Sequence, residues 1–223
     1  MRHQLSIHID PTALDPIRQA GQAITLVAAC AAEPFSAENP PVAWLQLPPR
    51  ELTTVAWDAE CHGYATGAQP APGAVIAPTA VTPAPMVPGC LYALRNARFL
   101  STTRAGDTFN VANEQGTAVW FGLARAAVAS GARVLSPLNV VSVPAGELAS
   151  FLPRRDLHIF LAPDLGHGAV LTHLPSDTLV VTLTPADPTV HVAFFDPTRT
   201  FYRTAAPPDS RRAGAPSSHR RPS

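Results

Sequence analysis

Short stretches of alternating or continuous apolar residues run along most of this chain. Residues 5–10 (LSIHID) alternate apolar and polar side chains, which is typical of a strand with one buried face. Residues 23–28 (AITLVA) are continuously apolar and indicate a more deeply buried strand. Further strand candidates cover residues 41–47, 52–63, 90–99, 108–111, 118–124, 137–143, 148–152, 157–162, 169–173, 178–183, 190–195 and 200–202. The pattern predicts an all-β protein.

Two segments depart from this pattern and favour a helix. Asp10 followed by Pro11 is suited to a helix start, because aspartate caps backbone amides and proline fits the first helical position. Gly21 is a suitable stop, and Pro16 limits the helix to about two turns. The alanine-rich residues 123–131 have helical propensity, but they continue a strand candidate, so helix and strand both stay open there.

Proline makes up 25 of the 223 residues and restricts how the strands can pair. It lacks the backbone amide that a central strand donates, so it is confined to edges, turns and extended segments. Residues 66–89 carry six of these prolines. We therefore expect extended backbone or edge strands in that stretch, and no central strand.

An internal repeat is the most informative feature of the sequence. Residues 45–52 (LQLPPREL) match residues 141–148 (VSVPAGEL) at an offset of 141 − 45 = 96. The same offset holds without gaps towards the carboxyl side, where it pairs Glu60 with Asp156 and His62 with His158. Matches that keep one register over so long a stretch indicate duplication of an ancestral unit.

The repeat predicts two pseudo-symmetric β-sandwich-like halves, residues 1–102 and 103–204, because a unit of this size with several short strands suits a sandwich. One larger sandwich to which each half contributes strands is the alternative. Residues 205–223 carry four arginines and few apolar residues, so we expect them to be a disordered tail.

Charge and apolar content exclude several classes of function. All 16 basic residues are arginine, so a phosphate-binding loop with its lysine and a lysine Schiff base are both excluded. Residues 1–204 hold 12 arginines and 15 acidic residues, a slightly negative balance that argues against a nucleic-acid partner. No apolar stretch is long enough for a transmembrane segment.

The cysteines and the amino-terminal residues are informative about the cellular compartment in which the protein resides. Three widely spaced cysteines, Cys30, Cys61 and Cys90, form neither a disulfide framework nor a zinc motif, and we expect buried free thiols. The first residues, MRHQLSIHIDP, have no apolar core of a signal peptide. Residence in the cytoplasm is therefore the expectation, and unconventional export stays open.

Two groups of polar residues are the candidate ligand-binding sites. Asp58, Glu60 and His62 are spaced to lie on one face of a strand, and the repeat places Arg154, Asp156 and His158 equivalently. A carboxylate beside a histidine can bind a metal or serve as an acid–base pair. A strand face that is simply exposed to water would show the same pattern. We expect no cofactor and predict no resident metal.

No catalytic motif is present, since neither G-x-S-x-G nor G-x-G-x-x-G occurs. The sequence therefore favours a non-enzymatic binding or interaction protein with a protein or glycan ligand, and such a protein could also self-associate into a homo-oligomer. A membrane-active, cytolysin-like protein is an alternative, based on the short candidate helix near the amino terminus. A metal-assisted hydrolase using His62, Glu60, His158 and Asp156 is the third.

Overall fold

The computed structural model describes residues 2–33, 39–67, 69–103 and 106–205. From residue 206 onward the predicted tail lies outside the described residues. The described part contains one helix, α1 (Pro11–Gln19), and eighteen strands. The strands are β1 (Arg2–His8), β2 (Gln22–Glu33), β3 (Val42–Ala43), β4 (Leu45–Leu47), β5 (Leu52–Asp58), β6 (His62–Thr66), β7 (Ala80–Val81), β8 (Cys90–Arg95), β9 (Arg98–Thr103), β10 (Phe109–Asn113), β11 (Val119–Ala129), β12 (Ala132–Pro137), β13 (Val141–Val143), β14 (Leu148–Pro163), β15 (Ala169–Val170), β16 (Leu179–Thr182), β17 (Thr189–Phe195) and β18 (Thr200–Thr204). The prediction of an all-β protein is confirmed.

The helix α1 forms where the sequence predicted it. The side chain of Asp10 accepts a hydrogen bond from the backbone amide of Thr12 at 2.9 Å, as a capping residue does. Gly21 follows the helix with a φ of 63°, a left-handed conformation that favours glycine. The apolar side of the helix, Ala13, Leu14 and Ile17, is buried in the core. The helix therefore presents no free apolar stripe of the kind that a membrane-active helix uses.

Two large sheets contain most of the strands. The nine-stranded sheet runs in the order β18-β17-β1-β5-β11-β6-β7, with β12 and β13 also paired to β11. The seven-stranded sheet runs β4-β2-β14-β10-β8-β9, with β16 also paired to β14. A small third sheet pairs β15 with β3. Both large sheets take strands from before and after residue 102, so neither half of the sequence forms its sheet alone.

The two large sheets share one succession of strand pairings. In each, a hairpin (β17–β18 or β8–β9) is followed by a parallel neighbour (β1 or β10) and then by antiparallel neighbours (β5 then β11, or β14 then β2). The backbone carbonyls of Glu51 and Glu147, which are 147 − 51 = 96 residues apart, accept hydrogen bonds from the amides of Ile9 and Asn113 at 3.1 and 2.9 Å. A duplicated unit would produce this likeness; the duplication itself stays a prediction.

One large core joins the two sheets. Its fully buried side chains include Leu5 of β1 and Leu123 of β11 in the nine-stranded sheet, and Leu26 of β2 and Phe151 of β14 in the seven-stranded sheet. Burial of such side chains removes apolar surface from water and is the main force that holds the sheets together. Within the described residues no helix is long and apolar enough to cross a membrane.

Candidate functional site

The first predicted group, Asp58, Glu60 and His62, does not lie on one continuous strand. β5 ends at Asp58 and β6 begins at His62, so the chain leaves the sheet between them. All three residues nevertheless border the same depression of about 290 Å³, together with Arg2 and Arg133. The Nδ1 atom of His62 lies 3.0 Å from the backbone oxygen of Thr82, a contact that holds the ring in place. The structure thus brings the three residues together through a break in the strand.

The second predicted group lies on β14 and is split. The register of β14 against β2 shifts between Pro153 and Leu157, and Arg154 and Asp156 lie inside this irregularity. Both border a different and larger cavity, whereas His158 is not among the residues that line it. Asp156 accepts a hydrogen bond from the hydroxyl of Thr182 at 2.6 Å. Burial lowers the pKa of His158, and Asp156 partly opposes that effect. The two predicted groups therefore do not converge on one cleft.

The larger cavity, which we call the Arg125 cavity, has a volume of about 380 Å³ and is lined by strands of both large sheets. This volume is within the range of small-molecule sites. Its apolar walls are formed by Ala28, Trp44, Trp57, Ala59, Pro88, Phe109, Leu152, Pro153, Leu157, Leu183 and Pro185. Its polar lining consists of His3, Arg125, Arg154, Arg155 and Asp156. An apolar cavity with a few polar groups is the usual form of a ligand pocket.

Arg125 is the most unusual residue of this cavity. Its side chain comes from β11, and the residue is only 8% exposed. One terminal nitrogen donates to the Sγ atom of Cys61 at 3.5 Å, while the buried Nε has no hydrogen-bond partner. None of the ion pairs formed among the described residues includes it. A buried guanidinium without a carboxylate partner is costly to stability.

Aromatic rings line the same cavity as Arg125. Trp44 and Trp57 are 0% and 4% exposed, and their rings meet edge to face with centroids 5.3 Å apart. The indole nitrogen of Trp44 donates to the backbone oxygen of Arg125 at 3.1 Å, which ties this ring to β11. The ring of His3 lies 5.7 Å from that of Trp57. The rings give the cavity a rigid apolar wall, suited to a planar ligand.

His3 is the second residue of the cavity with an unpaired buried nitrogen. Its Nδ1 atom has no hydrogen-bond partner. Burial lowers the pKa of His3, and the positive charge of Arg125 lowers it further. Both effects favour the neutral ring while the cavity is empty.

The charge around the cavity is positive. Three guanidinium groups, of Arg125, Arg154 and Arg155, border it, against the single carboxylate of Asp156. Arg154 and Arg155 are exposed, so their charges act mainly by attracting an anion to the entrance. Burial raises the pKa of the nearby Cys30 thiol to about 12, so this thiol stays neutral and adds no negative charge.

Metal chemistry has no ready ligand set in the part of the chain that the structure describes. No three histidine, cysteine, aspartate or glutamate side chains come close enough there to hold an ion.

Comparison of the chain with protein-family models, with curated proteins and with solved structures finds no match. The interpretation of the cavity therefore depends on its own chemistry.

Sequence reasoning identified two of the residues that line the cavity, Arg154 and Asp156, and missed Arg125 and His3. Trp44 and Trp57, which also line the cavity, are buried in the core. A single arginine within an apolar segment, as in residues 118–129, was the available signal for Arg125. An arginine is seldom buried without a partner, so this position merited attention.

Replacing Arg125 by methionine should leave the free energy of unfolding unchanged or raise it by about 1–2 kcal/mol. Methionine fills a similar volume and removes a buried charge that lacks a carboxylate partner. Urea denaturation of the wild type and of Arg125→Met would measure the difference. Arg98→Met, which removes an exposed arginine outside the cavity, is the control. A loss of more than about 2 kcal/mol would mean that Arg125 serves the fold itself.

Proposed function

We propose that this chain is a non-enzymatic binding protein whose Arg125 cavity takes a small ligand with an anionic group on an apolar body. The observation that carries the proposal is the guanidinium of Arg125, which is buried, lines a cavity and lacks an acidic partner among the described residues. Proteins seldom keep such a group unless it has a role, because it lowers stability. An anion bound beside it would satisfy the charge.

The walls of the cavity support an apolar body for the ligand. Eleven of the sixteen residues that line it are apolar, and they include both buried tryptophans. A planar ring packed against these apolar walls would bury surface on both partners. The exposed guanidinium groups of Arg154 and Arg155 at the cavity would raise the rate at which an anion enters.

The position of the tryptophans bears on the kind of ligand. Glycan-binding surfaces commonly use exposed aromatic rings as stacking platforms, whereas Trp44 and Trp57 are almost fully buried. A large polymer or a protein surface cannot stack on rings that are buried in this way. The cavity thus favours a small ligand over the protein or glycan expected from the sequence.

Titration with matched probes tests this proposal. 2-Naphthoate and 2-naphthamide share one aromatic body, and only the former is charged near neutral pH. We expect 2-naphthoate to quench the tryptophan fluorescence and to bind at least about tenfold more tightly than the amide, since only the charged probe satisfies Arg125. Arg125→Met should weaken the binding of 2-naphthoate by about 30-fold or more, which corresponds to about 2 kcal/mol.

Two further variants make the fluorescence experiment specific. Trp120→Phe removes the tryptophan that does not line the cavity, so that the remaining signal reports Trp44 and Trp57. Arg98→Met removes a positive charge elsewhere and should leave the dissociation constant within about twofold of the wild-type value. Equal binding of the acid and the amide, or no binding of either below about 1 mM, would refute the proposal.

A further inference from the structure

We infer that the occupant of the Arg125 cavity is an apolar monocarboxylate, and that His3 is its second anchor and takes up one proton when it binds. This inference rests on the proposed function, because it names the ligand class and a further binding residue of the same cavity. It depends on the placement of two groups, Arg125 and His3, that no sequence motif connects.

The donor set of the cavity decides the class of anion. Two of the described residues that line it carry a buried side-chain nitrogen without a hydrogen-bond partner, namely Nε of Arg125 and Nδ1 of His3. A guanidinium edge matches the two oxygens of a carboxylate, and one imidazole adds a single further bond. A phosphate or sulfonate presents a third oxygen, for which the described lining offers no further buried unpaired group, because the guanidinium groups of Arg154 and Arg155 are exposed. The donor set therefore favours a carboxylate.

The position of His3 explains why it would bind the anion. The ring lies on β1 beside Trp57 and faces the same cavity as Arg125 on β11. Its ring nitrogen Nδ1 is buried without a partner, which is costly unless a ligand completes it. A carboxylate held by Arg125 would supply an acceptor in the same space.

The charges that face His3 determine how binding depends on pH. Desolvation lowers the pKa of His3, and Arg125 of β11 and Arg155 of β14 lower it further, while Asp58 at the end of β5 opposes them. Arg154 and Asp156 of β14 border the same cavity. In the empty cavity the neutral ring is therefore favoured.

A bound carboxylate reverses this balance, because its negative charge favours the protonated ring. The pKa of His3 then rises on binding. At pH values between the pKa of His3 in the free protein and its higher pKa in the complex, one proton binds together with the ligand. Affinity should increase as the pH falls through this window, by up to about tenfold per pH unit, and become constant below it. An aromatic carboxylate stays ionised throughout this pH window, so the change in affinity would reflect protonation of the protein and not of the ligand.

The experiment measures the dissociation constant of 2-naphthoate from about pH 8.5 to about pH 5.5 on the full chain. The wild type should bind about tenfold more tightly at the lower end of this range. His3→Gln, which cannot be protonated, should bind with an affinity that does not change with pH. His8→Gln is the matched control, because His8 also lies partly buried on β1 but does not line the cavity.

Calorimetry of the unmodified protein gives a second measurement that needs no variant. Titration of 2-naphthoate near pH 7 in two buffers of different ionisation enthalpy should show uptake of a fraction of one proton. Naphthalene-2-sulfonate, a permanent monoanion with three oxygens, should bind at least about fivefold more weakly than the carboxylate. Tight binding of 2-naphthoate without pH dependence or proton uptake would overturn the role of His3 and leave the proposed function standing. Absence of binding would overturn both.

Discussion

Replacing Gly122 by alanine is expected to destabilise the protein by about 3 kcal/mol or more, at the upper end of the cost of overpacking a core. A Cβ atom at this position would lie 2.1 Å from the backbone oxygen of Asn139 and 2.7 Å from the ring of Tyr64. Neither neighbour can withdraw easily. Tyr64 is fully buried and donates to that same backbone oxygen at 2.6 Å, and the Asn139 side chain accepts from the Leu123 amide at 3.0 Å.

Urea denaturation of Gly122→Ala would show this loss as a lower midpoint with little change in slope. Gly116→Ala is the matched control, because a Cβ at Gly116 meets no atom within 4 Å. It should change stability by less than about 0.5 kcal/mol. Equal stability of the two variants would contradict the close approach of Gly122 in β11 to the backbone oxygen of Asn139.

Replacing Trp44 by alanine is the second change with a large expected effect, a loss of about 3–5 kcal/mol. Trp44 is fully buried between β3 and β4, packs edge to face on Trp57 and donates to the backbone oxygen of Arg125. The substitution removes the apolar contacts and leaves that buried oxygen without its donor. It also enlarges the Arg125 cavity, which Trp44 lines.

Trp44→Phe separates the two contributions, because phenylalanine keeps most of the apolar contacts and cannot donate a hydrogen bond. We expect a loss of about 1–3 kcal/mol for this variant, the cost of an unsatisfied buried acceptor together with some lost packing. Thermal and urea denaturation would measure both variants. Trp120→Phe, at a half-buried position, should cost less than about 1.5 kcal/mol. A Trp44→Ala protein as stable as the wild type would contradict the packing of Trp44.

Much of the secondary structure could be predicted because its signals are local. Alternation in residues 5–10 and continuous apolar character in residues 23–28 predicted β1 and β2, and Asp10 and Gly21 predicted the ends of α1. In the proline-rich residues 66–89, the short strand β7 is the only strand of the described part that lies entirely within the stretch. In each case the residue type limits the backbone directly, through capping, through side-chain period or through the missing amide of proline.

Other elements depended on tertiary contacts. Residues 123–131 were open between helix and strand, and their alanines carry helical propensity. Residues 123–129 belong to β11, because β5, β6 and β12 all pair with this part of the chain. Residues 52–63 were expected to be one strand, yet the chain leaves the sheet between Asp58 and His62. Contacts with neighbouring strands decide such points, and no local pattern reports them.

By itself, the sequence determined that this protein is built from short strands, with proline setting where they end, and it contained residues that match at an offset of 96. Only the tertiary structure decided which strands share a sheet and that His3, Trp57 and Arg125 line one cavity. The physical reason is the distance along the chain over which each effect acts. Strand period and turn chemistry act over a few residues, whereas the cavity forms from strands that are distant in the chain and that the burial of a common core brings together.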